Sequence, residues 1–201
     1  MSIPGFIEAR RSIRAFAPDL VPRAVLDDLV EAACLAPAPH HSRPWRWCVI
    51  DTPNAKAALA DGMGARWQAD LAADGTDQPR IDELVDASRR KITGAPALVL
   101  GCLTWEGLDR YPDDARRSAE WGMAVLSLGA AVENLMLAAA AAGLASCWVA
   151  APIFCSDAAR AALALADEWS PQALVLVGHP DPAYAPPARP PVPLDAVRTH
   201  R

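Results

Sequence analysis

The chain has 201 residues, 52% hydrophobic and 21% charged, so one packed domain is expected and wholesale disorder is excluded. Nineteen Lys+Arg against 24 Asp+Glu leave a net charge of −5, which argues against nucleic acid as a partner. Lys56 and Lys91 are the only lysines; the remaining positive charge is arginine, the residue suited to bidentate capture of a phosphate or carboxylate. The cysteines Cys34, Cys48, Cys102, Cys147 and Cys155 form no C-x-x-C pair and no metal-type cluster. They read as small apolar packing residues of a reduced, cytoplasmic chain, and no metal site is expected. Met1 to Glu8 has neither a basic region nor a long apolar run, so no signal peptide is expected there.

In chain order, the spacing of Val25, Leu26, Leu29, Val30 and Ala33 predicts a helix over Pro22–Leu35, with Pro22 in its first turn and Pro37 and Pro39 stopping it. Arg46–Asp51 reads as a strand, and Asn54–Ala73 and Asp77–Ile92 as two polar-faced helices joined by a Gly-Thr-Asp turn. Ala95–Leu103 is a continuous apolar run, the pattern of a strand covered on both faces. A long helix is expected over Arg116–Ala142, closed by Gly143, followed by a strand at Leu144–Val149. Ser156–Leu165 reads as a helix capped by Ser156, and Ala173–Gly178 as a third buried strand. Within the long helix, Met123–Ala142 imitates a membrane span in length. Glu133 and Asn134 sit near its middle, and a charge there costs about 2.5–3.5 kcal/mol on insertion, so a buried or interfacial helix and no membrane association are expected. From Pro180 to Pro193 half the positions are proline, which requires an extended arm lying over some surface. Strands alternating with helices indicate an α/β or α+β sandwich.

Three constellations carry chemistry. Arg10-Arg11-Ser12-Ile13-Arg14 supplies three guanidinium groups and a hydroxyl, with no carboxylate between Glu8 and Asp19. Such a group suits a phosphate monoester; a solvated basic turn paired to acids elsewhere is the other reading. The second constellation runs from Ala36 to Trp45 and contains His40 and His41. Neighbours in an extended chain point apart and no third ligand sits at a recognisable spacing, so it reads as a proline-fixed loop lining a ligand or as an ordinary turn. In the third, Ala151 to Cys155, backbone N–H groups near a helix start point at a ligand acceptor, or the loop simply connects. No G-x-G-x-x-G, P-loop, G-x-S-x-G or Cys-His signature is present, so an enzyme here takes its reactive centre from an organic cofactor.

Together these segments resemble the nitroreductase family of FMN-dependent oxidoreductases, over nearly the whole chain and in order. Arg10 to Phe16 looks like the family's R-R-S-x-R-x-F, and Val21-Pro22 with Ala36-Pro37 like its first helix. Pro44-Trp45 looks like the end of its P-S-x-x-N-x-Q-P-W loop, where the usual asparagine and glutamine are His41 and Arg43 here. Glu133-Asn134-Leu135, Gly143 to Trp148, Gly178 and the arm to Arg189-Pro190 match the remaining segments. Ala36 to Pro44, Tyr111 to Arg116, Cys147-Trp148 and Ile153-Phe154 look most like the nitroreductase-type C-terminal domain of the mycobacterial bifunctional ligase that finishes the deazaflavin coenzyme F-420.

The resemblance implies an α+β, three-layer sandwich with a central mixed sheet, a single domain over residues 1–201, and residues 180–201 as an arm embracing a homodimer partner. It implies FMN, contacted by Arg10, Arg11, Ser12 and Arg14, with Arg189 completing the phosphate site and Pro187 standing where many relatives have a second cation. Pro37, Ala38, Pro39 and His41 would approach the flavin from the other subunit. Pro152, Ile153, Phe154 and Cys155 would line it, the backbone of the last two donating toward N5 and O4. No side-chain nucleophile is expected; His40 is a candidate proton donor. The implied reaction is ping-pong hydride transfer from a small-molecule donor to a small-molecule acceptor. That acceptor is a dehydro precursor of coenzyme F-420, with a separate ligase subunit as a partner, or a nitroaromatic or quinone reduced at the expense of NAD(P)H. A non-catalytic FMN or deazaflavin carrier is the reading from another class.

Overall fold

A computed structural model describes residues 4–201. Met1 to Ile3, part of the segment expected to lack a signal peptide, lie outside the described residues. The elements in order are α1 (Gly5–Ala9), α2 (Arg23–Cys34), β1 (Trp45–Ile50), α3 (Pro53–Ala73), α4 (Gln78–Gly94), β2 (Ala97–Leu103), α5 (Asp114–Ala141), β3 (Ala145–Val149), α6 (Ser156–Ala162), β4 (Ser170–Gly178) and α7 (Leu194–Val197). Each expected helix and strand is present, with boundaries displaced by a few residues. The short helices α1 and α7 have no clear apolar period and were not anticipated.

Four strands form one sheet in the order β1-β2-β4-β3. Alternation along β2 and β4 sorts their side chains between two cores. Val99, Leu103, Val175 and Val177 face α2 and α5, while Leu98, Leu100, Leu174 and Leu176 face the side of α3, α4 and α6. Every residue of β2 is buried, as its unbroken apolar run requires. The result is three layers, with α2 and α5 on one face and α3, α4 and α6 on the other.

The expected mixed sheet is corrected in one respect. All named strand pairs are antiparallel, and the parallel component among the described residues is a single bridge, Ser12 to Ser146. The N-terminal segment crosses the sheet edge instead of running along it. Ile13 donates to the Ser146 carbonyl at 2.9 Å, and Ala17 already donates to His179, beyond the end of β4.

Helix α5 is long and apolar enough to cross a membrane by length and composition. Its Ala124, Leu128, Ala131, Val132, Leu135 and Ala139 are buried in the core shared with α2. Asp113 caps its start by accepting from the Arg116 N–H at 2.9 Å, and Gly143 ends it with a φ of 73°. The cap expected at Ser156 is displaced: Cys155 holds the N-cap position of α6, with no side-chain hydrogen bond, and Ser156 is the first helical residue.

Candidate functional site

Where the N-terminal segment passes the edge strand β3, the C-terminal arm folds back over it. Arg189 donates from Nη2 to the carbonyl of Arg10, and Arg11 donates from Nη2 to the carbonyl of Pro187. This reciprocal clasp places Arg10, Arg11, Ser12, Arg14 and Arg189 in one neighbourhood although they lie at opposite ends of the sequence. Pro187 supplies a carbonyl to the arginine segment. Arg14 Nη1 lies 3.4 Å from the Ser12 carbonyl.

Charge decides what this neighbourhood can hold. Arg10 Nε is paired with Glu133 Oε1 at 2.9 Å, which explains the carboxylate within the apolar stretch Met123–Ala142 of α5. Arg11, Arg14 and Arg189 have no carboxylate partner among the described residues, so the basic turn is not neutralised by acids elsewhere. Their remaining N–H groups suit an anion with several acceptor oxygens. The phosphate of the implied cofactor fits that donor set.

The second constellation is not extended, contrary to the argument by which its two histidines point apart. Pro39–His41 is a 3-10 turn in which His40 and His41 both have a φ of 54°, and Arg43 follows with 47°. Left-handed backbone at residues bearing side chains persists only where the surroundings impose it. Here Ser42 donates to the Pro39 carbonyl at 2.9 Å and Thr104 donates to the Pro44 carbonyl at 2.9 Å. Arg46 pairs with Glu106 and donates to the Trp45 carbonyl at 2.9 Å. Pro37, Ala38 and Pro39 form one wall of a groove of about 420 Å³ whose other wall is Met123, Leu126, Ser127 and Ala130 of α5.

The third constellation stands at the end of β3. Pro152 is buried, and Ile153 and Phe154 are exposed, Phe154 to 77%. The expected donation from Phe154 and Cys155 meets an obstacle. Phe154 N–H already donates to Ala151 O at 3.0 Å and Cys155 N–H to Pro152 O at 3.3 Å, because the loop closes as a 3-10 turn. A ligand acceptor there must share those hydrogens.

Burial raises the Cys48, Cys102, Cys147 and Cys155 thiols, Cys102 to about 12. A thiol held protonated is a poor nucleophile, which fits cysteines used for packing. Sequence reasoning missed Glu133 as the Arg10 partner, although a single acid in the apolar stretch Met123–Ala142 is itself a signal. It also missed Glu106 and Gly107, which no local pattern links to the His40–Arg43 turn.

Residues 7–179 match the Nitroreductase family, and the chain belongs to that family. Iodotyrosine deiodinase of Drosophila melanogaster is 29% identical over 190 residues, covering 87% of this chain. The matched region spans 61% of that relative's length. Among solved structures, a BluB-like flavoprotein from Clostridium difficile 630 superposes with a TM-score of 0.80 at 22% identity, over 100% of this chain and 99% of that one. An FMN- and NADPH-dependent nitroreductase from Sphingopyxis sp. strain HMH gives 0.70 at 24% identity, over 100% and 99%.

Proposed function

We propose that this chain is a homodimeric oxidoreductase holding FMN at the crossing of its N-terminal segment and C-terminal arm. The observation that carries the reading is the set of three guanidinium groups, on Arg11, Arg14 and Arg189, gathered there without carboxylate partners among the described residues. Bound FMN supplies hydride transfer at N5. The protein binds and orients: Arg11 and Arg189 hold the phosphate, and Arg10, Ser12 and Arg14 face the ribityl chain and pyrimidine edge. Arg10 is steadied by Glu133. Pro152 and Ile153 line the flavin, and the Phe154 and Cys155 amides reach its polar edge only as shared donors. Pro37, Ala38, Pro39 and His41 of the partner subunit cover the other side and exclude water. His40 is exposed and able to return a proton to the product.

A homodimer is supported by what α5 leaves uncovered. Val125 and Leu126 are exposed to 40% and 76%. Gly122 and Gly129 meet nothing among the described residues within 4 Å where a Cβ would stand, so no packing among those residues requires glycine in mid-helix. Glycine there costs about 1 kcal/mol relative to alanine, a cost explained by close approach of a second helix. The whole chain then forms one domain, with residues 180–201 as an arm that completes the phosphate site and extends over the partner. A cytoplasmic location fits the five unpaired cysteines.

Two acceptors are in contention. The likeness of Ala36 to Pro44 and of Tyr111 to Arg116 to the coenzyme F-420 ligase domain favours a dehydro precursor of that coenzyme, with a separate ligase subunit. The nitroreductase-like neighbours favour a broad nitroaromatic or quinone reductase using NAD(P)H. The test is the visible spectrum of the purified protein with added FMN, followed by anaerobic addition of NADH, NADPH or reduced deazaflavin. Bleaching supports the enzyme, whereas FMN that binds but is not bleached supports a carrier. A colourless protein that refuses FMN overturns the reading. Turnover of the dehydro precursor without nitroaromatic reduction selects the first acceptor, and the reverse selects the second.

A further inference from the structure

We propose that the outer face of α2 is the docking surface for residues 190–201 of a second copy of this chain. Val192 and Leu194 of the tail cover Leu35, and Arg198 and Arg201 meet Glu31, Asp28 and Asp27. The inference rests on the homodimeric oxidoreductase reading above and names the surface that the arm reaches.

The face is a stripe at helical spacing. Asp27 and Asp28 stand one turn before Glu31, Glu31 stands one turn before Leu35, and all four are exposed. The three acids form no ion pair among the described residues. Arg23, whose charge Asp27 feels, is held by Asp51 at 2.7 Å. Leu35 is exposed to 79%, whereas Leu26 and Leu29 on the opposite face are buried.

The tail carries the complementary chemistry. Every residue from 190 to 201 is exposed, including the apolar Val192, Leu194 and Val197, so its own protomer does not cover it. Arg201 forms no ion pair among the described residues, and Arg198 forms only an exposed one with Asp195 at 3.5 Å. An apolar stretch followed by free cations matches an apolar residue followed by free acids.

Position selects the second copy over the chain's own α2. Arg189, the residue before the tail, is held where the N-terminal segment passes β3, one edge of the sheet. Helix α2 shares its core with Trp45 of β1, the other edge strand. The tail therefore starts across the sheet from its own α2. The reading above lays the partner's Pro37–His41 loop on the flavin held at this clasp, and Leu35 lies two residues before Pro37. The tail thus enters at the Leu35 end, with Val192 and Leu194 leading and the arginines following toward the start of the helix. The lengths agree. Leu35 to Asp27 is about 12 Å along a helix axis. Leu194 to Arg201 is about 16 Å with α7 helical and the rest extended.

The experiment uses two charge-reversed variants of the full chain, incubated with FMN, in sedimentation equilibrium. One carries Asp27→Lys, Asp28→Lys and Glu31→Lys; the other carries Arg198→Glu and Arg201→Glu. Each alone is expected to dimerise at least about tenfold more weakly than the wild type, from several exposed pairs lost and like charges opposed. Mixed one to one, the variants are expected to form heterodimers close to the wild type in affinity, because each tail then meets a face of opposite sign on the other subunit. A mixture no tighter than its components places the tail elsewhere and overturns the proposal, as do variants that dimerise within about threefold of the wild type. Trypsin cleavage after Arg198 is the second measurement, slow in the wild-type dimer and fast once α2 loses its acids; equal rates overturn the docking. If the lysines lower Tm, Asp27→Asn with Asp28→Asn and Glu31→Gln replaces them in that assay. A wild type that stays monomeric with FMN bound overturns the docking together with the homodimer. Recovery in the mixture of a protein that no reductant bleaches keeps the docking and overturns the oxidoreductase reading, and bleaching without recovery does the reverse.

Discussion

Replacing Gly107 by alanine tests whether the His40–Arg43 turn is held from outside. Gly107 has a φ of 78°, and a Cβ there would stand 2.8 Å from the carbonyl oxygen of Ser42. Left-handed backbone at an alanine costs about 1–2 kcal/mol. Forcing a methyl group against packed backbone adds about 1–3 kcal/mol. Alanine reduces the freedom of the unfolded chain and returns about 0.4–1 kcal/mol. The net loss is about 1–4.6 kcal/mol, which for a domain of this size lowers Tm by about 2–18 °C. Gly75 is the internal control, because its φ is 81° but nothing lies within 4 Å of its Cβ position. Gly75→Ala therefore carries only the torsional cost, offset by the same unfolded-state gain, and costs about 0–1.6 kcal/mol. Calorimetric melts of both variants measure the difference. Equal Tm shifts in the two variants would refute the claim that Gly107 braces the turn through Ser42.

Three further outcomes follow from named contacts. Arg14→Ala and Arg189→Ala each weaken FMN binding about tenfold or more in fluorescence titration, while Arg80→Ala, which loses only an exposed pair with Glu83, does not; changes within about threefold would remove Arg14 and Arg189 from the cofactor site. Lys56 is buried and donates from Nζ to the carbonyls of Ala95 and Pro96 at 2.6 and 3.2 Å, so Lys56→Met lowers stability by about 1–3 kcal/mol. Burial lowers the Lys56 pKa, so between the folded and ordinary values the unfolded chain binds the extra proton, and stability rises with pH. Urea midpoints from neutral pH up to the ordinary lysine range show that rise in the wild type and not in Lys56→Met; parallel curves would contradict it. Truncation before Pro180 removes the Arg189 and Pro187 sides of the clasp and weakens FMN binding and dimerisation together. Sedimentation with absorbance detection at a flavin wavelength measures both, and an unchanged dimer with its flavin retained would contradict the role given to the arm.

Much of this molecule was legible in its residues alone because the relevant physics is local. The period of Val25 to Ala33, the apolar run into β2 and the glycine after α5 each determine an element through contacts a few residues apart. The arginine cluster and the proline arm were also legible as ingredients, since charge and missing N–H groups are properties of composition. Their junction was not. That Arg189 reaches Arg10, that Arg11 reaches Pro187 and that Glu133 waits for Arg10 are pairings across more than a hundred residues, and nothing near either partner encodes them. The same holds for the His40–Arg43 turn. Local propensity favours an extended reading, and left-handed backbone wins only because the Thr104–Gly107 loop packs on it from another strand connection. Sheet direction belongs to the same category: strand patterns state which faces are apolar, whereas antiparallel order depends on how α3, α4 and α5 return the chain. Sequence by itself determined the parts and their chemistry, and tertiary structure decided which of them meet, because long-range contacts depend on the packing of the whole chain.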